Sequence, residues 1–207
     1  TAHVVGTYYP LGQALAESLE KSDIPCRVQQ TEGSTENCKM IHHDYVELAV
    51  CQNDVAFQAH NGTGEFERSG ALDGVMALCS WYPEPIQIFV LADSPYKKLE
   101  DLRGQAVIVG QRASGTKVNA LQVLGAYGFT DEDLNKIKEA PAATGFEMLA
   151  DGSAAAVFLT EAYPARVLRT VTKRKRIRLL ELGEGVIAKL VKEHPFFVPL
   201  TIPAHHY

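Results

Sequence analysis

Short apolar runs alternate with helix-like segments along most of this 207-residue chain, and this alternation limits its fold more than any other feature. The runs at residues 86–91, 106–109 and 155–159 have the length of strands and are bounded by turn residues. Strands that alternate with helices imply a mostly parallel sheet with helices on both faces. The sequence therefore predicts an α/β fold.

The pattern occurs in two blocks that join near residues 90–95, so we expect two lobes, residues 1–90 and 91–207, neither with a complete strand set of its own. In the first block, helices begin at Thr7 and at two polar turns, and strands occupy residues 25–31, 46–51, 75–80 and 86–91. In the second block, strands are predicted at residues 106–109, 155–159 and 177–182, and helices at residues 99–102, 117–127, 146–149, 163–172 and 185–194.

Composition narrows the classes of function. The net charge is -5 and the sequence pI is near 5.8, which argues against a general electrostatic grip on nucleic acid or anionic lipid. The basic run at residues 173–176 fits a helix end, where positive charge suits the helix dipole. No apolar run approaches the roughly 18 to 20 residues of a membrane span. The chain starts at Thr1 without a basic and apolar leader, so either the protein is cytosolic or a signal peptide lies outside this sequence.

One glycine-containing turn, within GQRASGTKVNALQVL at residues 110–124, resembles two catalytic motifs without matching either. A phosphate loop needs lysine followed by a hydroxyl residue, whereas here Thr116 precedes Lys117. A nucleophile elbow needs glycine two residues before and after its serine, and Ser114 has neither. What remains is a helix N-terminus at which Ser114, Gly115 and Thr116 suit a carboxylate. The alternative is that Ser114 only caps the helix.

Similar polar turns recur, and this recurrence favours a binding site. Residues 33–37 and 52–54, and the segment around Tyr8, also place short polar groups where a helix begins. Several such junctions can surround one small polar molecule, with Tyr8 and Tyr82 as aromatic walls. Asp54 and Glu84 are candidates to bind an ammonium group of the ligand. The alternative is that Asp54 only caps a helix and Glu84 is a solvated loop charge.

The cysteines do not predict a metal or a cofactor. Cys26, Cys38, Cys51 and Cys79 contain no C-x-x-C pair, and we favour free thiols over disulfides, whose connectivity a sequence does not give. Cys38 and His42 have the spacing of helical metal ligands, but no second pair accompanies them. No catalytic carboxylate pair or nucleophile motif stands out, so we expect a protein that is not an enzyme and has no cofactor.

Seven short motifs, in colinear order over essentially the whole chain, resemble the TAXI family, the substrate-binding proteins of tripartite ATP-independent periplasmic (TRAP) transporters. Each motif is weak alone, whereas the ordered set is specific. The motifs are Gly6-Thr7-Tyr8-Tyr9-Pro10-Leu11-Gly12, Glu32-Gly33-Ser34-Thr35-Glu36-Asn37, Gln52-Asn53-Asp54-Val55-Ala56, Asn61-Gly62-Thr63-Gly64-Glu65-Phe66, Tyr82-Pro83-Glu84-Pro85, Ser114-Gly115-Thr116 and Phe196-Phe197-Val198-Pro199.

The resemblance implies a two-lobed, type II periplasmic-binding-protein fold, export to the periplasm with a signal peptide removed, and delivery of a glutamate-like organic acid or amino acid to TRAP membrane subunits. Family members usually continue beyond the position of Tyr207 and complete the first lobe, so the C-terminal part is expected to be missing here. The alternatives are an enzyme of pyrimidine- or pyrrole-precursor synthesis on the same fold, or a sensor or surface antigen. Matching motifs assign the ligand shell to Tyr8, Ser34, Asn37, Gln52, Asp54, Tyr82, Glu84, Ser114, Gly115 and Thr116.

Overall fold

The computed structural model describes residues 1–4, 6–168, 175–204 and 206–207, and these divide into two compact units. Unit 1 comprises Thr1–Tyr82 together with Ala113–Gly115, and unit 2 comprises Pro83–Arg112 together with Thr116–Tyr207. A short piece from the second half of the sequence therefore belongs to the unit that the first half forms.

Unit 1 is built on three helices, α1 (Tyr8–Glu20), α2 (Ser34–His42) and α3 (Asn53–Asn61), followed by a 3-10 turn at Gly64–Phe66. Helix α3 ends at Gly62, which takes the left-handed conformation that closes a helix (φ 64°). The buried apolar side chains of unit 1 lie mainly on α2, α3 and the loop beyond them, and they include Cys38, Val55, Ala59, Phe66 and Leu72.

The strands predicted at residues 25–31, 46–51 and 75–80 are wrong, because the structure gives these residues no strand. Alternating polarity shows which side chains share a face, but a strand also needs a hydrogen-bonding partner and a layer that covers its apolar face. Met76 and Leu78 remain 77% and 79% exposed, and Leu48 is also exposed. The segment at residues 75–80 therefore has no layer over its apolar side chains in the described part of unit 1.

The described part of unit 2 contains one mixed sheet of five strands in the order β3-β2-β4-β1-β5. Strand β2 runs parallel to β3 and β4, whereas β1 runs antiparallel to β4 and β5. The α/β class is thus confirmed, but the expectation of a mostly parallel sheet is wrong. Side chains alternate with a period of two in either kind of ladder, so the sequence pattern carries no information on strand direction. The strands are β1 (Ile86–Leu91), β2 (Val107–Ile108), β3 (Ile137–Lys138), β4 (Ala156–Thr160) and β5 (Ile177–Leu179).

Helices cover both faces of this sheet, as predicted. Alternate residues of β1 enter different apolar clusters: Ile88 and Val90 pack on one side and Phe89 on the other. The first cluster includes residues of α4 (Gly115–Ala126) and α7 (Glu184–Glu193), and the second includes residues of α6 (Ala142–Asp151). The remaining described elements are the 3-10 turn Leu99–Leu102 and the short helix α5 (Asp131–Leu134).

Parts of two sequence predictions, the helix at residues 163–172 and the basic run at residues 173–176, lie outside the described residues. Among the helices that the structure describes, none combines the length and apolar character needed to cross a membrane.

Tyr207 gives a test of the packing in unit 2. Its hydroxyl donates to Oε1 of the buried Gln87 and accepts the Ala165 N–H at 3.0 Å, while its ring meets the edge of Phe89. We expect Tyr207→Phe to keep the ring contact but lower the free energy of unfolding by about 1 to 3 kcal/mol, because two buried groups lose their partner. Urea denaturation measures this. The exposed Tyr45 provides the control, and an equally small effect of Tyr45→Phe and Tyr207→Phe would contradict the assignment.

Candidate functional site

Three polar segments of unit 1 meet at the start of α2. The Thr35 N–H donates to the carbonyl oxygen of Ala113 at 3.2 Å, which ties α2 to the segment Ala113–Gly115. The Ser34 hydroxyl accepts the Gln52 N–H at 3.1 Å, which ties α2 to the residue that precedes α3. Residues 33–35, 52–54 and 113–115 therefore form one cluster, hereafter the junction cluster.

Two glycines allow these segments to approach each other closely. Gly33 has φ 139° and ψ -155°, a conformation that is essentially reserved for glycine. A Cβ atom there would lie 3.2 Å from Ser114 Cα. A Cβ atom on Gly115 would lie only 1.6 Å from Gln52 Oε1, so the side chain of Gln52 crosses directly over Gly115. Both contacts depend on the absence of a side chain.

The junction cluster buries polar groups to an unusual degree. Ser34, Thr35, Gln52 and Asp54 are all buried, and Thr35 is only 2% exposed. Burying a polar group without a hydrogen bond costs free energy, so native proteins satisfy nearly all such groups. In the part of the chain that the structure describes, Thr35 Oγ1 has no hydrogen-bond partner. The Thr35 hydroxyl therefore has unused hydrogen-bonding capacity, whereas the backbone amide of the same residue donates to Ala113.

Asn37, another predicted ligand residue, has a structural task. Its Nδ2 donates to the carbonyl oxygen of Val50 at 2.7 Å, and its Oδ1 accepts the Thr31 hydroxyl at 2.7 Å. These bonds use one donor and one acceptor of a fully buried amide to fasten the chain on either side of α2. Asn37 therefore holds the segments that carry the junction cluster.

The remaining predicted ligand residues are divided between the units. Tyr8 is buried in the first turn of α1 and Tyr82 is half-buried at the end of unit 1, while Glu84 and Thr116 belong to unit 2. The Thr116 hydroxyl accepts the Thr160 N–H at 3.2 Å and so caps the end of β4. Of the ten predicted residues, hydrogen bonds and close backbone approaches bring together Ser34, Gln52, Ser114 (through Gly33) and Gly115. Asp54 follows two residues after Gln52.

Lys117, whose position excluded a phosphate loop, has a local partner. Its Nζ lies 3.0 Å from Glu139 Oε1, within unit 2. The carboxylate of Glu139 partly neutralises the charge of this lysine. A lysine paired in this way is not placed to hold phosphate, in agreement with the sequence, where the lysine and hydroxyl residue of a phosphate loop stand in the reverse order.

Four residues of the junction cluster, Gly33, Thr35, Asn53 and Ala113, were not predicted as site residues. Gly33 has a sequence signal, since glycine directly before a pair of hydroxyl residues marks a helix start at which the backbone is approached closely. Ala113 has none: it adopts φ 60°, and alanine is disfavoured in that left-handed region. Its role becomes visible only when the fold brings its carbonyl oxygen to Thr35.

The electrostatics of the junction cluster suit a small ligand with charges of both signs. The first turns of α2 and α3 present amide N–H groups that favour an anion. Asp54, in the first turn of α3, supplies a buried carboxylate for a cation. A carboxylate beside the helix starts and an ammonium near Asp54 would satisfy both features.

Two other kinds of site, a metal site and a cavity in unit 2, fit the predicted ligand residues less well than the junction cluster does. In the described ranges no three His, Cys, Asp or Glu side chains are grouped as metal ligands would be. His42, the candidate partner of Cys38, instead has its Nδ1 3.6 Å from Asp73 Oδ1. A cavity of about 300 Å³ lies in unit 2 beside Tyr96 and Ala155, and none of the predicted ligand residues lines it.

Solved structures with the same fold include periplasmic binding proteins. A putative sulfonate ABC transporter protein, the periplasmic sulfonate-binding protein SsuA from Methylobacillus flagellatus KT, matches with a TM-score of 0.51 and 16% identity over 81% of this chain and 47% of its own. The periplasmic aliphatic sulphonate binding protein SsuA from Escherichia coli matches with a TM-score of 0.51 and 17% identity over 82% of this chain and 53% of its own.

The arginine-, lysine-, histidine-binding protein ArtJ from Geobacillus stearothermophilus matches with a TM-score of 0.51 and 13% identity over 88% of this chain and 74% of its own. The chain thus spans about half the length of the two sulfonate-binding proteins. Identities this low establish the fold and nothing finer. The model of the NMT1-like family matches residues 1–207, so the chain belongs to the NMT1-like family.

Proposed function

We propose that this chain is a solute-binding receptor and that the junction cluster holds a small organic acid or amino acid. The observation that carries the proposal is the meeting of two helix starts and Gly115 around buried polar side chains, with Thr35 Oγ1 unused within the described structure. A buried hydroxyl without a hydrogen bond costs stability, and a ligand that bonds to it would offset that cost.

The ligand class follows from the charges of the cluster. Amide groups at the starts of α2 and α3 and the hydroxyls of Ser34 and Ser114 accommodate a compact carboxylate. Asp54 is buried at the start of α3, where it is suited to an α-ammonium group. We therefore rank amino acids such as glutamate above simple dicarboxylates.

The route of delivery is the more specific part of the proposal. The colinear motifs of the sequence support membership of the TAXI group, and hence a periplasmic protein that passes its ligand to the membrane subunits of a TRAP transporter. The binding proteins of the same fold, one of which is named for a putative sulfonate ABC transporter, support a receptor and leave the type of transporter to experiment. They also support a binding role over catalysis.

A thermal-shift screen tests the ligand class. We expect an amino acid to raise the melting temperature, since a ligand at about 100 times its Kd stabilises the folded state by about 2.7 kcal/mol. The panel holds amino acids, dicarboxylates, sulfonates and the amide analogue of each acid.

The variant Asp54→Asn tests whether Asp54 binds the ammonium group of the ligand. It should weaken stabilisation by amino acids while leaving that by simple carboxylates largely unchanged, because only the ammonium partner is lost. Equal losses for both classes would remove Asp54 from the proposed role. If no small acid stabilised the protein and it instead converted a candidate substrate, the receptor proposal would fail.

A further inference from the structure

Two of the four cysteines lie against each other in unit 1. Cys38 is on α2 and is 1% exposed, and it shares a hydrogen bond with the thiol of Cys51, which is half-buried just before α3. Neither of them is in a disulfide in this structure, and nor is Cys26 or Cys79.

The surrounding hydrogen bonds hold this pair in register. Residues on both sides of Cys51 are bonded to α2: the Val50 carbonyl accepts from Asn37 Nδ2 at 2.7 Å, and the Gln52 N–H donates to Ser34 Oγ at 3.1 Å. Ser34 and Cys38 are four residues apart and so share one face of α2. These contacts hold residue 51 beside α2 independently of the thiols themselves.

The two thiols differ in reactivity. The hydrogen bond with Cys51, followed by burial, raises the pKa of Cys38 well above the usual range of a thiol. A thiolate is the reactive species, so Cys38 on its own is inert. Cys51 is the more accessible of the two and is the first point of attack for an oxidant.

We propose that Cys38 and Cys51 are an oxidation site, and that they form a disulfide which fastens α2 to the start of α3 when the protein meets an oxidising compartment. The oxidant is a small-molecule or protein disulfide. The Cys51 thiolate attacks one sulfur of that disulfide, forming a mixed disulfide and releasing one thiol. Cys38 then loses its proton and attacks the Cys51 sulfur, which releases the second thiol. The protein loses two protons and two electrons, and the oxidant is reduced to two thiols.

The bond would stabilise the frame of the junction cluster. It closes the segment between residues 38 and 51, which includes the exposed Leu48 and the irregular stretch where a strand was predicted. Cross-linking a loop of about 15 residues restricts the unfolded chain. The inference concerns covalent structure and is independent of which ligand the cluster binds.

Peptide mapping of a two-cysteine protein tests the proposal. The variant Cys26→Ser/Cys79→Ser retains only the proposed pair and is incubated, folded, with oxidised glutathione. We expect mass spectrometry to find the peptides of Cys38 and Cys51 linked, with the loss of two hydrogens. We also expect a melting temperature about 6 to 12 °C higher than in the reduced protein. The addition of a dithiol should reverse both changes.

Matched variants separate the specific bond from general oxidation. Cys51→Ala in the same background should gain no intramolecular link and no thermal stabilisation. If the background variant does not fold, wild-type protein is mapped instead, and a link from Cys38 or Cys51 to Cys26 or Cys79 overturns the proposal. Two separate glutathione adducts, or thiols that stay reduced in folded protein, also overturn it. A Cys38–Cys51 link without a rise in melting temperature overturns the fastening role.

Discussion

Gly115→Ala is expected to raise the Kd for L-glutamate, or for the acid with the largest thermal shift, by roughly 10- to 100-fold, which is about 1.4 to 2.7 kcal/mol. The new Cβ atom would lie 1.6 Å from Gln52 Oε1 and 2.3 Å from its Cδ, so the buried Gln52 side chain must leave its position. The loss of a polar contact at the ligand then weakens binding. Isothermal titration calorimetry measures the change.

A double-mutant cycle identifies the cause. If Gly115→Ala acts by displacing Gln52, it should add less than about 0.5 kcal/mol in a Gln52→Ala background, because the group it displaces is already absent. Gly125→Ala, in the same helix, is the matched control: no atom lies within 4 Å of its Cβ position. That variant should bind normally and gain about 0.5 to 1 kcal/mol of stability, as alanine replaces glycine inside a helix. Additive effects of Gly115→Ala and Gln52→Ala would show that Gln52 is not the link.

Gly33→Ala should lower the free energy of unfolding of unit 1 by about 2 to 4 kcal/mol. A side chain is strained at φ 139° and ψ -155°, and its Cβ would press on Ser114 Cα at 3.2 Å. Backbone atoms cannot rotate aside as the end of a flexible side chain can. Denaturation by urea, followed by a probe in unit 1, measures the loss.

Gly70→Ala controls for the strain of a positive φ alone. Gly70 also has a positive φ, 80°, but no atom lies within 4 Å of its Cβ position. We expect a cost of about 1 to 2 kcal/mol there. If Gly33→Ala cost no more than Gly70→Ala, the close approach of Gly33 to residues 113–114 would have no energetic importance.

The sequence predicts best those elements whose stabilising contacts are local or whose length is unambiguous. Strand β1 occupies the predicted residues 86–91, and α4 begins and ends within two residues of its predicted bounds. Helix starts were visible because glycine and short polar residues act within one turn of the chain. The predicted strands of unit 1 failed because a strand depends on partners that are remote in sequence.

The candidate site could likewise be predicted only where its features are local in the sequence. The polar turns at residues 33–37, 52–54 and 114–116 could be recognised one by one, and their role in ligand binding stays a prediction. The return of Ala113–Gly115 to unit 1 could not be foreseen, since alternation of strands and helices gives no information on where a short connection packs. Thr116 shows a second limit: its hydroxyl accepts the Thr160 N–H, a contact that the sequence does not indicate, and its role toward a ligand stays a prediction.

Titration of isotopically labelled protein with L-glutamate, followed by NMR of the backbone amides, tests the central claim most directly. If the junction cluster binds the acid, the amide signals of Gly33, Thr35, Gln52 and Gly115 should shift together and saturate with a single Kd, while those of Gly70 and Gly104, which lie outside the cluster, should stay in place. Saturable shifts confined to other residues, or none at any concentration that stabilises the protein, would contradict it.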